Sequence, residues 1–186
     1  MPIYRFKKGK YLADVRGINK DEPQHKRYTL KIDFEGERGD EKWLIILKNP
    51  SRAVDESPDI SDKTISNVCE YFYRKMIQVN SIVVMNLFPV YETYSNELVK
   101  RRTDLVDKKN KLYLKDMVNK SESIVFAWGS HPKECKDEFD TMRNFVTELT
   151  KNKNCFQMKH PLRKINRNRP LHAQVWGYEN YELIKI

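Results

Sequence analysis

The stretch Trp43-Leu-Ile-Ile-Leu-Lys-Asn-Pro-Ser51 is the part of the sequence that decides the fold. Its five consecutive apolar residues, Trp43 to Leu47, are typical of a strand that is buried on both faces of a parallel sheet. The residues that follow end the strand in a turn. Ligands of open α/β sheets bind beyond the carboxyl ends of the central strands, so Asn49 and Ser51 are candidates for binding or catalysis.

Three later stretches repeat this arrangement, in which an apolar run is followed directly by polar residues or glycine. They are Ile82-Val-Val-Met-Asn86, Ile124-Val-Phe-Ala-Trp-Gly129 and Cys155-Phe-Gln-Met-Lys-His160. If all four runs are parallel strands, their carboxyl ends meet at one edge of the sheet. We therefore expect Asn49, Asn86, Trp128 and His160 to line a common cleft.

Segments with helical periodicity connect these runs. One begins after Ser61 or Asp62 as the N-cap, a second extends from Asp107 to Lys120, and Pro132 opens a third. This alternation predicts right-handed βαβ units and a three-layer α/β/α sandwich. The predicted central sheet is mainly parallel, with the spatial order 2-1-3-4 counted from the Trp43 strand.

The amino-terminal part predicts an additional strand. Apolar residues alternate with polar ones in Arg27–Phe34, which is the pattern of an amphipathic strand, and the segment Glu35–Asp40 is a turn. We expect this strand to pair antiparallel with the Trp43 strand as an edge of the sheet. Residues 1–25 are interpreted as an N-terminal arm or a hairpin within a single α/β domain that covers residues 1–186.

Composition favours a polyanionic partner. The 186 residues carry a net charge of +9, with a sequence pI near 9.3. A basic excess of this size is typical of proteins that bind nucleic acid, although basic proteins without such a partner are also common. The sequence contains three cysteines with no Cys-x-x-Cys pair, no His/Cys cluster with zinc spacing and no long apolar run. We expect a cytoplasmic, soluble protein without membrane contact, metal or other cofactor, and a monomer is favoured.

The densest cationic stretch is Lys159 to Arg169, and it contains no acidic residue. Its cations are Lys159, Arg163, Lys164, Arg167 and Arg169. Such a loop beside a cleft is predicted to contact the phosphates of nucleic acid, because guanidinium groups bond phosphate oxygens in pairs. The alternative is a solvated loop that serves solubility alone. The acidic set Asp55, Glu56, Asp59 and Asp62 is interpreted as a helix cap and solvated charge rather than a metal site.

Four short motifs in this order resemble a bacterial and phage family, domain-of-unknown-function family 1643. They are Asn49-Pro-Ser51, Asn86-Leu-Phe88, Ala127-Trp-Gly129 and His160-Pro-Leu162, and Asp62-Lys-Thr64 matches that family's Asp-x-Thr at a helix start. The resemblance extends from Tyr28 to Trp176. It implies no activity.

The same landmarks are more distantly similar to the uracil-DNA glycosylase superfamily. Members have an Asn-Pro or Asp-Pro turn after the first core strand, a Leu-Trp-Gly strand end and a late His-Pro-Ser. The resemblance implies a glycosylase-like fold, in which Asn49 positions a water molecule and His160 donates a hydrogen bond to the departing base. Here Leu47-Lys48 replaces the glycine before the first turn, Leu162 replaces the serine after His-Pro, and an aspartate that activates water is absent.

Cleavage of a glycosidic bond between base and sugar requires a positioned water, donors to the leaving base and a surface for the extruded base. Asn49 and His160 are the candidate catalytic residues, and Ser51, Asn86, Phe88 and Trp128 are candidates for substrate binding. Each also has a structural explanation: Asn49 fits a self-capped turn, and Trp128 fits the core. Two hypotheses remain open: an N-glycosylase acting on nucleic acid, DNA in the first place, or on a nucleotide; and a non-catalytic protein of the same fold that binds nucleic acid or a nucleobase.

Overall fold

The computed structural model describes residues 4–6, 12–21, 25–50, 60–92, 97–162, 164–166, 168–177 and 181–186. Its strands are β1 (Tyr4–Arg5), β2 (Leu12–Asp21), β3 (Lys26–Phe34), β4 (Glu41–Leu47), β5 (Ile60–Ser61), β6 (Val79–Asn86), β7 (Ser123–Phe126), β8 (Asn154–Lys159) and β9 (Glu182–Lys185). The α-helices are α1 (Lys63–Lys75), α2 (Arg102–Leu105), α3 (Lys108–Lys120) and α4 (Lys136–Leu149). Two short 3-10 helices cover Glu97–Arg101 and Ala173–Val175.

Seven strands form the main sheet in the order β2-β3-β6-β4-β7-β8-β9. The four central strands are parallel, with β4 between β6 and β7 and with β8 beside β7. Antiparallel strands flank them on both sides, which makes the sheet mixed. Strands β1 and β5 form a separate antiparallel pair.

Helices cover both faces of this sheet. Along β4 the side chains alternate between two buried clusters: Trp43 and Ile45 belong to the cluster that includes α1, whereas Leu44 and Ile46 belong to the one that includes α3 and α4. The exposed fraction of each of the five residues from Trp43 to Leu47 is 4% or less. The run is therefore buried on both faces, and the chain has the α/β architecture that it predicted.

The predicted pairing of the Tyr28 strand is wrong. Strand β3 pairs antiparallel with β6, with Ile32 opposite Ile82, and not with β4. The backbone of β4 is already bonded on both sides, to β6 and to β7, so it offers no free edge to a third strand. The prediction that this strand is an edge of the sheet is also wrong. Residues 12–21, which the sequence assigned to an arm or a hairpin, form β2, and β2 pairs with the outer side of β3.

Two of the three predicted helix starts are confirmed, and the third is wrong. Asp62 caps α1 by accepting a hydrogen bond from the Ile65 N–H at 3.0 Å, and Asp107 caps α3 by accepting from the Asn110 N–H at 2.7 Å. Helix α4, however, does not begin at Pro132. Its first backbone bond runs from the Phe139 N–H to the carbonyl of Cys135, so the helix starts at Lys136.

The side chain of Arg38 connects the end of α1 to the start of β6 through hydrogen bonds. Its guanidinium donates to the carbonyls of Phe72, Tyr73, Met76 and Val79 at 2.6–3.2 Å. The group also lies over the rings of Phe34 and Tyr73, 5.1 and 5.2 Å from their centroids. One side chain in the predicted turn after β3 therefore donates to carbonyls of the last turn of α1 and of the first residue of β6.

None of the helices among the described residues is both long and apolar enough to cross a bilayer. The three cysteines, Cys69, Cys135 and Cys155, are buried and form no disulfide.

Candidate functional site

A pocket of about 340 Å³ lies at the carboxyl ends of β7 and β8. Gly129 and Ser130, which follow β7, form one side, and the end of β8 with His160 forms another. The remaining lining residues are Lys164 to Asn166 and Arg169 to His172, in the chain after β8. Pockets that hold small ligands and cofactors commonly measure about 300–1,000 Å³, so this one suits a ligand at the small end of that range.

The residues of the described chain that line the pocket include cations and no acidic residue. Lys159, Lys164 and Arg169 contribute to its lining, and all three are exposed to solvent. None of them forms an ion pair with another described residue. Their charges are therefore available to an anionic ligand at the mouth of the pocket.

Two histidines in the pocket have the same hydrogen-bond arrangement. Nδ1 of His160 accepts from the N–H of Leu162 at 2.9 Å, and Nδ1 of His172 accepts from the N–H of Gln174 at 3.2 Å. A neutral imidazole that accepts at Nδ1 carries its proton on Nε2. Both rings therefore offer an Nε2–H donor.

His172 is neutral at physiological pH. Burial lowers its pKa to about 4, the positive charge of Lys48 acts in the same direction, and the carboxylate of Asp62 opposes them. Burial also lowers the pKa of Lys48, which follows directly after β4. The charge of Lys48, at the carboxyl end of β4, thus acts on a histidine of the pocket beside β7 and β8.

Gly129 allows the chain to turn closely past His172. Its backbone has a φ of +72°, and a Cβ atom built there would lie 3.2 Å from the Cβ of His172. A side chain at this position would be strained by the backbone conformation and crowded by the histidine. The glycine of the Ala-Trp-Gly motif is therefore explained by packing.

Gln157 belongs to the lining of the same pocket. It is the third residue from the end of β8, and its exposed fraction is 1%. The Oε1 atom is buried without a hydrogen-bond partner, and no bond of the Nε2 group to another described residue is present. A buried amide oxygen without a partner is unfavourable to stability.

The sequence profile of a family described as a protein of unknown function (DUF1643) matches residues 27–172. The chain belongs to the DUF1643 family. No curated protein and no solved structure matches it. The matched range begins in β3 and ends at His172, so it includes every lining residue of the pocket but not β9, which pairs with β8.

In this DUF1643 protein, the pocket brings together four of the residues that the sequence predicted. These are Lys159, His160, Lys164 and Arg169. Ser51, Arg163 and Arg167 lie outside the described residues, as do Asp55, Glu56 and Asp59.

Asn49 does not belong to the lining of this pocket. Its Nδ2 group donates to the carbonyl of Pro50 at 3.2 Å and to that of Glu92 at 2.5 Å. The second bond joins the turn after β4 to the segment after β6. The side chain of Asn49 therefore stabilises the turn. This agrees with the structural explanation of Asn49, which was the alternative to a catalytic role.

Asn86, Phe88 and Trp128 lie at or beyond strand ends, but they too are absent from the lining of this pocket. Their exposed fractions are 1%, 0% and 1%. Trp128 stacks on Phe126 with ring centroids 4.6 Å apart, and Phe88 contacts Phe139 edge to face. Both aromatic rings are core residues in this structure and present no accessible surface to an extruded base.

Sequence reasoning missed Gln157 and His172 as site residues. The signal for Gln157 is that it is a single polar residue between the apolar residues of β8, where a buried amide is unexpected. For His172 the signal is weaker, because only its position just after the cationic stretch set it apart. Lys48 differs from the glycosylase pattern, and its position in the sequence does not indicate a site residue.

Proposed function

We propose that the protein binds nucleic acid or a nucleotide through this pocket without cleaving it. The observation that carries the proposal is the convergence of three cations on one pocket: among the described residues, none pairs with these cations and none that lines the pocket is acidic. Phosphate groups are the ligands that such an arrangement favours. The overall charge of +9 adds long-range attraction for a polyanion.

The similarity to the uracil-DNA glycosylase superfamily supports a ligand that contains a nucleobase. His160 follows the last of four parallel strands, as the histidine of that superfamily does, and its Nε2–H suits a carbonyl oxygen of a base. Binding is favoured over cleavage for two reasons. The described lining of the pocket that contains His160 includes neither Asn49 nor a carboxylate that would activate a water molecule.

Salt dependence of binding tests the proposal. The binding of a fluorescent duplex or single-stranded oligonucleotide would be measured over a range of salt concentrations for the protein and for a variant with Lys159→Gln, Lys164→Gln and Arg169→Gln. Each phosphate contact contributes about 0.9 to the slope of log affinity against log salt for duplex DNA and about 0.7 for single strands. The triple variant should therefore have a slope that is smaller by about two to three.

A matched control removes three lysines from the opposite edge of the sheet. Lys75, Lys120 and Lys151 lie at or just after the carboxyl ends of α1, α3 and α4, from which the chain enters β6, β7 and β8, and all three are exposed. Their replacement by Gln changes the net charge equally and should leave the slope nearly unchanged. Equal slopes for the pocket variant and the unaltered protein would refute the proposal.

Cleavage remains the second candidate, because the Nε2–H of His160 is available to stabilise a departing base. An N-glycosylase would leave abasic sites, which alkali converts to strand breaks. Incubation with oligonucleotides that contain damaged or deaminated bases would detect them. If the protein produces strand breaks and a His160→Ala variant does not, the protein cleaves the glycosidic bond and is not only a binding protein.

A further inference from the structure

Three polar side chains in the lining of the pocket use their acceptor atoms on the backbone. Nδ1 of His160 and Nδ1 of His172 each accept from the N–H of the residue two positions later, at 2.9 and 3.2 Å. Oδ1 of Asn166 accepts in the same way from the N–H of Asn168 at 3.0 Å. All three side chains line the pocket, and the atoms that each has left without a bond are N–H donors.

These remaining donors are accessible and have no partner. The Nε2–H groups of His160 and His172 and the Nδ2 group of Asn166 bond to no other described residue. Both histidines are partly exposed, and Asn166 is exposed. The exposed hydroxyl of Ser130 in the same lining can donate as well. The accessible polar side chains of the described lining are therefore cations, N–H donors and one hydroxyl.

A group that consists of acceptors is complementary to this set. A single Nε2–H also suits the carbonyl oxygen of a base, but every common nucleobase has N–H donors beside its acceptors, and the accessible side chains offer those donors no partner except one hydroxyl. Phosphate oxygens only accept. A phosphate monoester has three terminal oxygens and a charge of about −1.5 to −2 at pH 7, whereas a phosphate that joins two nucleotides has two free oxygens and one charge. The monoester therefore satisfies more of the donors.

The histidine donors are oriented before a ligand binds. The bonds at Nδ1 hold both rings, and the ring of His160 also lies 5.2 Å from the ring of Tyr181. His172 is neutral at physiological pH because burial lowers its pKa to about 4, so it offers an N–H without a buried charge. Binding therefore loses little side-chain freedom at these positions.

The size of the pocket favours a phosphate at an end. A phosphate within a strand continues into a nucleotide on both sides, so a pocket that encloses it must let the strand enter and leave. A terminal phosphate has one such connection. A pocket of about 340 Å³, bounded by the ends of β7 and β8, accommodates it more readily.

We propose that the pocket recognises a terminal phosphate, a phosphate monoester at the end of a nucleic-acid strand or on a free nucleotide, through the donors of His160, Asn166 and His172. This inference rests on the proposed binding of nucleic acid or a nucleotide, and it names the part of the ligand that enters the pocket. The three cations at the mouth attract phosphate of either kind, whereas the three donor side chains distinguish the monoester.

Binding of one internally labelled fluorescent oligonucleotide, with and without a terminal phosphate, tests the inference. The strand would have a hydroxyl group at both ends, a 5′ phosphate or a 3′ phosphate. A phosphate at the recognised end should tighten binding about 10- to 100-fold, the usual effect of hydrogen bonds to a charged group. A strand lengthened by two nucleotides adds two negative charges as diesters and should bind nearly as the unphosphorylated strand does.

Competition distinguishes the two sources of a terminal phosphate. If a nucleoside monophosphate displaces the labelled strand as well as a phosphorylated oligonucleotide does, a free nucleotide is a sufficient ligand. If the phosphorylated oligonucleotide alone displaces it, the ligand is the end of a strand. The nucleoside without phosphate should not compete in either case.

Matched variants assign the preference to the donor side chains. Asn166→Asp keeps the oxygen that accepts the backbone N–H and replaces the donor by a negative charge, so the preference for the phosphorylated strand should disappear. His172→Asn keeps an acceptor and removes the Nε2–H, and it should reduce the preference about 10-fold. Asn119→Asp makes the same charge change at an exposed residue near the end of α3, and His131→Asn alters a histidine outside the pocket lining. Both controls should retain the preference, and thermal unfolding checks that each variant is folded.

Equal affinities for the phosphorylated and the lengthened strand would overturn the inference, as would competition by the nucleoside or a preference that survives in Asn166→Asp. In each of these results the oligonucleotide still binds in a salt-dependent manner, so they are distinct from failure of the proposed function. The latter would appear as no binding of any strand or nucleotide by the unaltered protein, and it would overturn both proposals.

Discussion

Acidification should destabilise the fold through His172. Its pKa is lowered from 6.5 to about 4, by burial and by the charge of Lys48. Above neutral pH the ring is uncharged in both folded and unfolded chains, and no penalty arises. As the pH falls from 6.5 towards 4, the unfolded chain takes up a proton that the folded protein excludes, so the free energy of unfolding decreases. The loss is about 2 kcal/mol at about pH 5 and levels off near about 3 kcal/mol at lower pH.

Urea unfolding at about pH 8 and about pH 5 would measure this loss. Other groups titrate in the same interval, so the informative quantity is the difference between the protein and a His172→Asn variant. The asparagine oxygen can accept the N–H of Gln174 in place of Nδ1, and it does not titrate. The variant should lose about 2 kcal/mol less than the protein over this interval. Identical losses would refute the assignment, and a His131→Asn variant provides the control outside the pocket.

Three further substitutions test contacts described above, each by urea unfolding at neutral pH. Arg38→Lys should cost about 3 kcal/mol, because an ammonium group cannot reach four carbonyls in the plane of a guanidinium, and the exposed Arg74→Lys serves as its control. Asn49→Ala should cost about 1–2 kcal/mol through the lost bond to the Glu92 carbonyl, and a neutral effect would restore the catalytic interpretation of that turn. Gly129→Ala should cost about 1–2 kcal/mol, and an unchanged stability would contradict the crowding against His172.

The parallel centre of the fold was predictable from local patterns. Apolar runs such as Trp43 to Leu47 are long enough to be recognised as buried strands, and the caps Asp62 and Asp107 mark helix starts by a mechanism that depends on neighbouring residues alone. The pairing of β3 was not predictable in this way. A turn between two strands favours a hairpin, but β4 forms its hydrogen bonds with β6 and β7, which lie much further along the chain.

The sequence was sufficient to bring the cations of the site together, but it was not sufficient to predict which aromatic residues are buried. Exposed cations such as Lys164 and Arg169 are dense in the sequence and come together in the pocket. The burial of Trp128 and Phe88, in contrast, depends on which helix covers each strand end, and sequence spacing does not specify that. The bonds of Asn49 to a carbonyl far along the chain are likewise a tertiary property.

The two outer strands of the sheet have a consequence for synthesis of the protein. Strand β2 precedes the parallel strands in the chain and β9 follows them, so one edge can be covered early while the other is covered last. Until β9 has left the ribosome and paired, β8 presents a row of unpaired N–H and carbonyl groups to other nascent chains. The four residues from Glu182 to Lys185 thus shield the backbone of β8 from edge-to-edge association, and the short strand β9 replaces a strand of the parallel core as the edge of the sheet.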